Sequence, residues 1–136
     1  MTSHIPEGFE LWTPTTPFVA HIAKIGPLYK NERDSILALQ LQAAHANMHQ
    51  MAHGGLLATL VDCTLGYYIP LQCETAVVTV STSMNYLNAA KIGDWLEASI
   101  SIDKRGNRLV YATCVLQAGD LKIATATAVF ATRKAE

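Results

Sequence analysis

The sequence has few of the features that mark several large classes of protein. Only 15% of the 136 residues are charged, and the formal net charge is −1. A balanced charge gives no electrostatic reason to bind nucleic acid or an anionic membrane. The three cysteines are odd in number and show no Cys-x-x-Cys spacing. This pattern argues against a disulfide framework or a zinc ribbon and fits a reducing compartment. We therefore expect a cytoplasmic protein with no nucleic-acid partner.

Targeting and low-complexity segments are also lacking. The first seven residues show neither the basic nor the apolar region of a secretory signal. The longest apolar run, residues 54–71, is interrupted by Asp62 and is expected to be too short to span a membrane. The length suits one domain over residues 1–136, in which residues 1–14 form a poorly defined N-terminal segment.

One stretch carries most of the chemical information. Residues 56–66 predict a helix that is apolar on nearly every side and is therefore buried. Asp62 lies in its middle, and a buried unpaired charge is costly, so this carboxylate needs a partner, a raised pKa or a catalytic role. At the helix start, His53, Gly54 and Gly55 place free amide N–H groups at the positive end of the helix dipole.

The spacing of these two features predicts a symmetric dimer. Gly54 and Asp62 are eight residues apart, which is ~12 Å along a helix. One reacting carbonyl cannot lie within ~3 Å of both groups. If both groups act on one carbonyl, they come from two copies of the chain, which form composite sites.

The rest of the chain predicts an α+β fold. A helix is expected over residues 15–25, and period-two alternation marks residues 35–44, 76–87, 95–103, 108–117 and 121–132 as strands. One curved antiparallel sheet wrapped around the long central helix would bury that helix on all sides. The helix is expected to end near Pro70, and the open sheet edges favour pairing with a second copy.

Two motifs carry a resemblance to a known family. Asn47, His53-Gly54-Gly55 and Asp62 resemble the signature of the hotdog-fold acyl-CoA thioesterases of the PaaI-like branch. Residues 85–96 resemble the family's strand ending in Tyr-Leu and its Pro-Ala-Lys-x-Gly-Asp turn, with Ala89 in place of the usual proline. Together the motifs anchor about the C-terminal two-thirds of the chain.

The resemblance implies a homo-oligomer, either a dimer or a tetramer built as a dimer of dimers. It would hydrolyse an aryl- or fatty-acyl-CoA thioester to the free acid and CoA without a cofactor. Asp62 would act as general base or as nucleophile. The amide of Gly54 would polarise the carbonyl, Gly55 would contact the substrate and His53 would position the loop. Asn47 would orient water or the carbonyl.

Each assignment has an ordinary alternative. Asp62 could bond Thr59 or a neighbouring backbone group, and Asn47 could be a turn residue. Thr79 would reach the carboxylate of the opposite subunit as a substrate-site residue, or it is a normal β-branched strand residue. Cys63 is expected to be a packing thiol.

Two other functions and one metal site are alternatives to simple hydrolysis. The functions are a hotdog dehydratase or hydratase, and a non-catalytic acyl-CoA-binding module. His45, His49 and His53 recur every four residues, as zinc ligands on a helix would. The Asn47 motif places this run in a loop, so no metal is expected.

Overall fold

One seven-stranded antiparallel sheet curves around one long helix in the computed structural model, which describes residues 5–133. The sheet order is β1-β2-β3-β5-β6-β7-β4. The elements are β1 (Glu10–Trp12), α1 (Pro17–Ile25), β2 (Leu28–Asn31), β3 (Ile36–Gln40), a 3-10 turn (Ala43–His45), α2 (Gly54–Cys73), β4 (Ala76–Tyr86), β5 (Trp95–Arg105), β6 (Leu109–Ala118) and β7 (Leu121–Arg133). This is the hotdog arrangement that the sequence predicts.

The long strands follow the predicted period of two. Alternate residues of β5, β6 and β7 are buried and form the core with α2: Leu96, Ala98, Val110, Ala112, Cys114, Leu116, Ala124, Ala126, Ala128 and Phe130. The bounds of β4 to β7 differ from the predicted ones by at most two residues, whereas β3 ends at Gln40, four residues before its predicted end. The alternation works because each strand presents one face to the helix.

Strand β3 is buried on both faces, whereas the sequence predicts a strand with one core face. Leu37, Ala38 and Leu39 are all fully buried. Ala38 is the cross-strand partner of Tyr29, whose ring packs 5.4 Å from the ring of Trp95. These aromatic rings lie beside Ala38 and explain its burial, because successive strand residues point to opposite faces.

The N-terminal segment contains a strand that the sequence does not predict. β1 pairs with β2, with Trp12 opposite Leu28. Three residues are too few to show a period. The ring of Trp12 packs 4.7 Å from the ring of Tyr67 in α2, so β1 contacts the central helix. Residues 1–4 lie outside the described part of the chain.

Helix α2 continues past Pro70, so the predicted end near that residue is wrong. Proline inside a helix lacks the N–H that would bond the carbonyl four residues earlier, here that of Gly66. Gly66 is exposed, so water can bond its carbonyl. Ile69 and Cys73 are buried and hold the last turn in place. The chain leaves the helix at Glu74, in the left-handed conformation with φ 55°.

The helix is not buried on all sides, which is a second correction. Its buried residues are Leu56, Leu57, Leu60, Val61, Thr64, Leu65, Tyr68, Ile69 and Cys73. Gly55, Asp62 and Gly66 are exposed and Thr59 is partly exposed. Their spacing of three or four residues puts them on one face, which we call the open stripe. A single sheet covers α2 from one side and leaves this stripe uncovered.

By length and composition, α2 could cross a membrane, so the expectation that its apolar run is too short does not hold. The core helix of a soluble protein passes the same length test. In this structure α2 packs against β3, β4, β5 and β6, and its apolar residues lie in the protein core.

Candidate active site

Asp62 lies in the middle of the open stripe with one side-chain partner. The Thr79 hydroxyl of β4 donates a hydrogen bond of 2.8 Å to Oδ1 of Asp62. Within one chain, Thr79 therefore contacts the carboxylate of its own Asp62. Thr59 bonds the Gly55 carbonyl instead of Asp62, so the ordinary alternative for Asp62 is not realised.

The carboxylate is exposed in the single chain, although a buried one is expected from the sequence. The open stripe explains this, because no element of the same chain covers it. Within residues 5–133 the second oxygen, Oδ2, makes no hydrogen bond. Asp62 is thus held by Thr79 through one oxygen and keeps the other oxygen for a ligand, for water or for a partner chain.

The start of α2 offers one free amide. His53 is the N-cap, and its Nδ1 accepts a hydrogen bond of 2.8 Å from the Gly55 amide. The Gly54 amide makes no hydrogen bond within residues 5–133. The amide of Gly55 is therefore satisfied by the cap, whereas that of Gly54 remains a donor at the positive end of the helix. The ring of His53 fixes the loop, in keeping with its predicted positioning role.

Tyr86 is a neighbour of this donor that sequence reasoning missed. Its hydroxyl donates a hydrogen bond of 3.2 Å to the Gly54 carbonyl. A Cβ on Gly54 would lie 3.8 Å from the Tyr86 ring, which is an ordinary contact distance. The only sequence signal is the position of Tyr86 at the end of β4, within the second family motif.

Asn47 organises the loop before the helix. Its Oδ1 accepts hydrogen bonds from the amides of His49, at 2.8 Å, and Met51, at 3.2 Å. This is the turn role that the sequence leaves open. Within the described residues its Nδ2 makes no hydrogen bond, so it can still donate to water or a carbonyl. The predicted site role of Asn47 remains compatible with the turn.

The second motif, residues 85–96, supports this loop through a backbone hydrogen bond. The Ala52 amide donates to the Ala90 carbonyl at 2.8 Å. The turn closes without proline, because Oδ2 of Asp94 accepts a 2.9 Å hydrogen bond from the Lys91 amide. Gly93 has φ +99°, a conformation that favours glycine. Ala89 therefore leaves the turn formed.

The three histidines do not share a helical face. His45 ends a 3-10 turn and is buried, His49 is exposed in the loop, and His53 caps α2. Nδ1 of His45 accepts a hydrogen bond of 3.0 Å from the Gln42 amide. Among residues 5–133, no three His, Cys, Asp or Glu side chains are grouped to hold a metal ion.

His45 makes the stability of the fold depend on pH. Burial lowers the pKa of His45 below its ordinary 6.5, so the unfolded chain binds this proton more readily than the folded one. Stability is therefore lost as the pH falls through about 6.5. We expect the melting temperature to drop by several degrees between about pH 7.5 and about pH 5. His45→Gln should flatten this slope and His49→Gln should not. Equal slopes in both variants would contradict the assignment.

Cys63 directly follows Asp62 in α2, about 100° further around the helix, and is a poor nucleophile. Burial, and then the charge of Asp62, raise the pKa of the Cys63 thiol to about 11. Since the thiolate is the reactive form, this thiol is almost entirely protonated at neutral pH. The structure agrees with its predicted role as a packing residue.

In the thioester hydrolysis that the family resemblance implies, Cys63→Ala should therefore keep turnover within about threefold of wild type, because no thiolate is lost. Hydrolysis is best followed by the ultraviolet absorbance of the thioester, since protein thiols do not affect this signal. A loss of about 100-fold or more in a folded variant would make Cys63 a participant in the reaction.

One chain does not bring its own two reactive features together. Asp62 follows Gly54 by eight residues in a continuous helix, so ~12 Å of helix separates them. The chain holds a carboxylate with its threonine at one place and a free amide donor at another. A small reacting group contacts both only if two copies supply them.

Comparison with known families identifies the family of this chain. The profile of the Thioesterase superfamily matches residues 49–125, which include His53, Gly54, Asp62 and Thr79. The chain belongs to the thioesterase superfamily. It is therefore a thioester hydrolase, as the sequence motifs predict.

Two relatives resemble this thioesterase over most of their length. PA0474 of Pseudomonas aeruginosa, whose name classes it provisionally as an esterase, is 34% identical over 132 residues, covering 93% of this chain and 96% of the relative. Acyl-coenzyme A thioesterase 13 of mouse is 29% identical over 116 residues, covering 83% of this chain and 81% of the relative.

Two solved structures share the fold. A Bacillus halodurans protein solved with CoA superimposes with a TM-score of 0.75 at 20% identity, covering 88% of this chain and 78% of its own. The PaaI protein of the E. coli phenylacetic acid degradation operon gives 0.69 at 21% identity, covering 73% and 72%. The predicted hotdog fold of this thioesterase is confirmed, and so is the thioesterase family that its motifs imply.

Proposed function

We propose that this thioesterase hydrolyses acyl-CoA thioesters to the free acid and CoA. The observation that carries the proposal is the Thr79–Asp62 pair on the open stripe, together with the free Gly54 amide at the start of the same helix. The name of the mouse relative and the CoA bound to the Bacillus halodurans protein support acyl-CoA as the substrate class.

The chemistry follows from the two groups. The Gly54 amide, with the positive end of the α2 dipole, stabilises the negative charge that develops on the thioester oxygen. Asp62 removes a proton from the attacking water or attacks the carbonyl itself. Thr79 holds one carboxylate oxygen and so directs the other. Asn47 can donate through Nδ2, and His53 fixes the loop that carries the donor.

The site is proposed to be shared between two copies of the chain. β4 pairs only with β7 among the described strands, so its other edge is open over eleven residues. Val78 and Val80 on this strand are exposed at 45% and 57%. A long open edge with apolar side chains is a ready surface for another strand.

We therefore propose a homodimer, or a tetramer built as a dimer of dimers, as the active form. Sedimentation velocity at micromolar concentration distinguishes these states from a monomer. A monomer with full turnover would contradict a shared site, because its two reactive features lie on one helix ~12 Å apart.

A panel of thioesters tests the proposed activity. CoA release is measured with acetyl-, hexanoyl-, benzoyl-, phenylacetyl- and palmitoyl-CoA. Turnover of at least one of them well above the rate in buffer is the expected result. Binding of every thioester without turnover would favour the acyl-CoA-binding module. Addition of water to an enoyl-CoA, with no CoA released, would favour the hydratase.

We also propose that the protein acts in the cytoplasm and has no nucleic-acid or membrane partner. Cys63, Cys73 and Cys114 are all free thiols, which suits a reducing compartment. The apolar length of α2 is accounted for by its packing against the sheet. Cell fractionation tests this location, and recovery in the membrane pellet would contradict it.

A further inference from the structure

A cavity of about 420 Å³ opens beside Asp62. One wall is the N-terminal arm, which we define as the segment from β1 to α1, residues 10–25. It supplies Trp12, Phe18 and Val19, and the other wall is α2. From α2 come Asp62, Gly66 and Tyr67, so the carboxylate lies at the border of a mainly apolar space. Pockets that hold small organic ligands measure roughly 300–1,000 Å³ and combine apolar walls with few polar groups. The cavity is therefore large enough for a bulky organic group.

Gly66 leaves part of this space open. It follows Asp62 by four residues, so both point to the same side of α2. A Cβ added at Gly66 would meet no atom within 4 Å. Glycine in a helix interior is destabilising relative to alanine, and no close packing in the chain requires it here. What its missing side chain provides is room beside the carboxylate.

The aromatic residues give the cavity its chemical character. The rings of Trp12 and Tyr67 contact each other with centroids 4.7 Å apart. Aromatic walls favour ring-bearing or bulky apolar groups. An acetyl group would leave most of the space unfilled.

We propose that this cavity holds the acyl group of the substrate, and that Gly66 is the residue that sets the acyl size accepted. The preferred substrate is a thioester whose acyl group is apolar and at least as bulky as one ring, rather than acetyl. This assignment rests on the proposed thioesterase function. The acyl group then lies against the helix that provides Asp62, while the donor for its carbonyl oxygen comes from the partner's copy of the helix start.

Substitutions at Gly66 test the assignment through a ratio of substrates. The ratio of kcat/KM for benzoyl-CoA to that for acetyl-CoA should fall at least about tenfold in Gly66→Leu. Gly66→Ala should lower it less. Since alanine is the better helix former, the melting temperature of Gly66→Ala should not fall, so reduced turnover cannot be ascribed to unfolding. Assembly should be unchanged in both variants.

A second substitution should act in the opposite direction. Phe18 lines the cavity and is 62% exposed, so Phe18→Ala widens the cavity at little cost in stability. It should raise the relative kcat/KM for acyl groups larger than benzoyl. His21→Ala is the control, because His21 is exposed on the same helix and outside this cavity.

A binding measurement separates this inference from the proposed activity. Benzoyl-CoA should change the tryptophan emission more than CoA alone does, because Trp12 lines the cavity, and Gly66→Leu should remove the difference. An unchanged substrate ratio in Gly66→Leu, an equal loss for all thioesters, or a loss of assembly would each overturn the assignment. A wild-type protein that binds benzoyl-CoA in this way but releases no CoA would refute the activity and leave the cavity assignment standing.

Discussion

Asp62→Asn is expected to lower kcat for acyl-CoA hydrolysis by about 10²- to 10⁴-fold. An amide can neither take a proton from water nor attack the carbonyl. The variant should fold and assemble normally, because Asp62 is exposed and asparagine can still accept the hydrogen bond from Thr79. The measurement is single-turnover and steady-state hydrolysis of the best substrate, with sedimentation of the same sample.

The chain offers a matched control for this substitution. Asp103 on β5 accepts a hydrogen bond of 2.6 Å from the Thr113 hydroxyl and is exposed. It repeats the Asp–Thr pairing on β5 but does not line the cavity beside Asp62. Asp103→Asn should leave kcat within about twofold of wild type. If Asp62→Asn retained more than about a tenth of wild-type turnover, Asp62 would not be the base or the nucleophile.

Gly54→Pro is expected to lower kcat by about 10²- to 10³-fold, the usual cost of losing one oxyanion donor. Gly54 is the first residue of α2, a position where proline is well tolerated because its N–H is unpaired in any helix. The preceding residue, His53, has φ −65° and ψ 135°, a conformation that suits a residue before proline. The substitution therefore removes the donor while the helix start keeps its shape.

Gly54→Ala separates the donor from the size of the side chain. Alanine keeps the amide, and its Cβ would lie at an ordinary 3.8 Å from the Tyr86 ring. Turnover should stay within a few-fold of wild type, and the melting temperatures of the two variants should be similar. If proline and alanine had equal effects on kcat, the Gly54 amide would have no special part in the reaction.

The sequence is most informative where one local pattern decides the outcome. The apolar run of α2 and the alternation of β5 to β7 predict the sheet-around-helix fold, because each pattern allows one burial arrangement. The C-terminal end of α2 is harder to predict from the sequence. Pro70 indicates a helix end, but buried Ile69 and Cys73 hold the last turn against the sheet, and tertiary packing overrides the local preference.

The candidate site is predicted in its residues but not in its environment. Asp62 is expected to be buried, and it is exposed because one sheet cannot surround a helix completely. The spacing of Gly55, Thr59, Asp62 and Gly66 contains this signal, since small or polar residues recur on one helical face. The arm from β1 to α1 forms one wall of the cavity through contacts between distant residues, such as Trp12 with Tyr67, which no local pattern reveals.

The central claim is that one chain supplies Gly54 and another supplies Asp62 to the same site. Mixed assemblies of Gly54→Pro and Asp62→Asn chains, each inactive alone, test it most directly. In a mixed dimer, one site receives Gly54 from the Asp62→Asn chain and Asp62 from the Gly54→Pro chain. The other site receives both substitutions. The two variants are unfolded together, refolded at equal amounts and assayed for CoA release.

Random pairing makes half of the dimers mixed, and each mixed dimer has one complete site of two. Turnover should therefore recover to about one quarter of wild type, and each variant refolded alone should remain inactive. If the mixture stayed at the level of the separate variants while sedimentation showed mixed dimers, Gly54 and Asp62 would act within one chain and the shared site would be wrong.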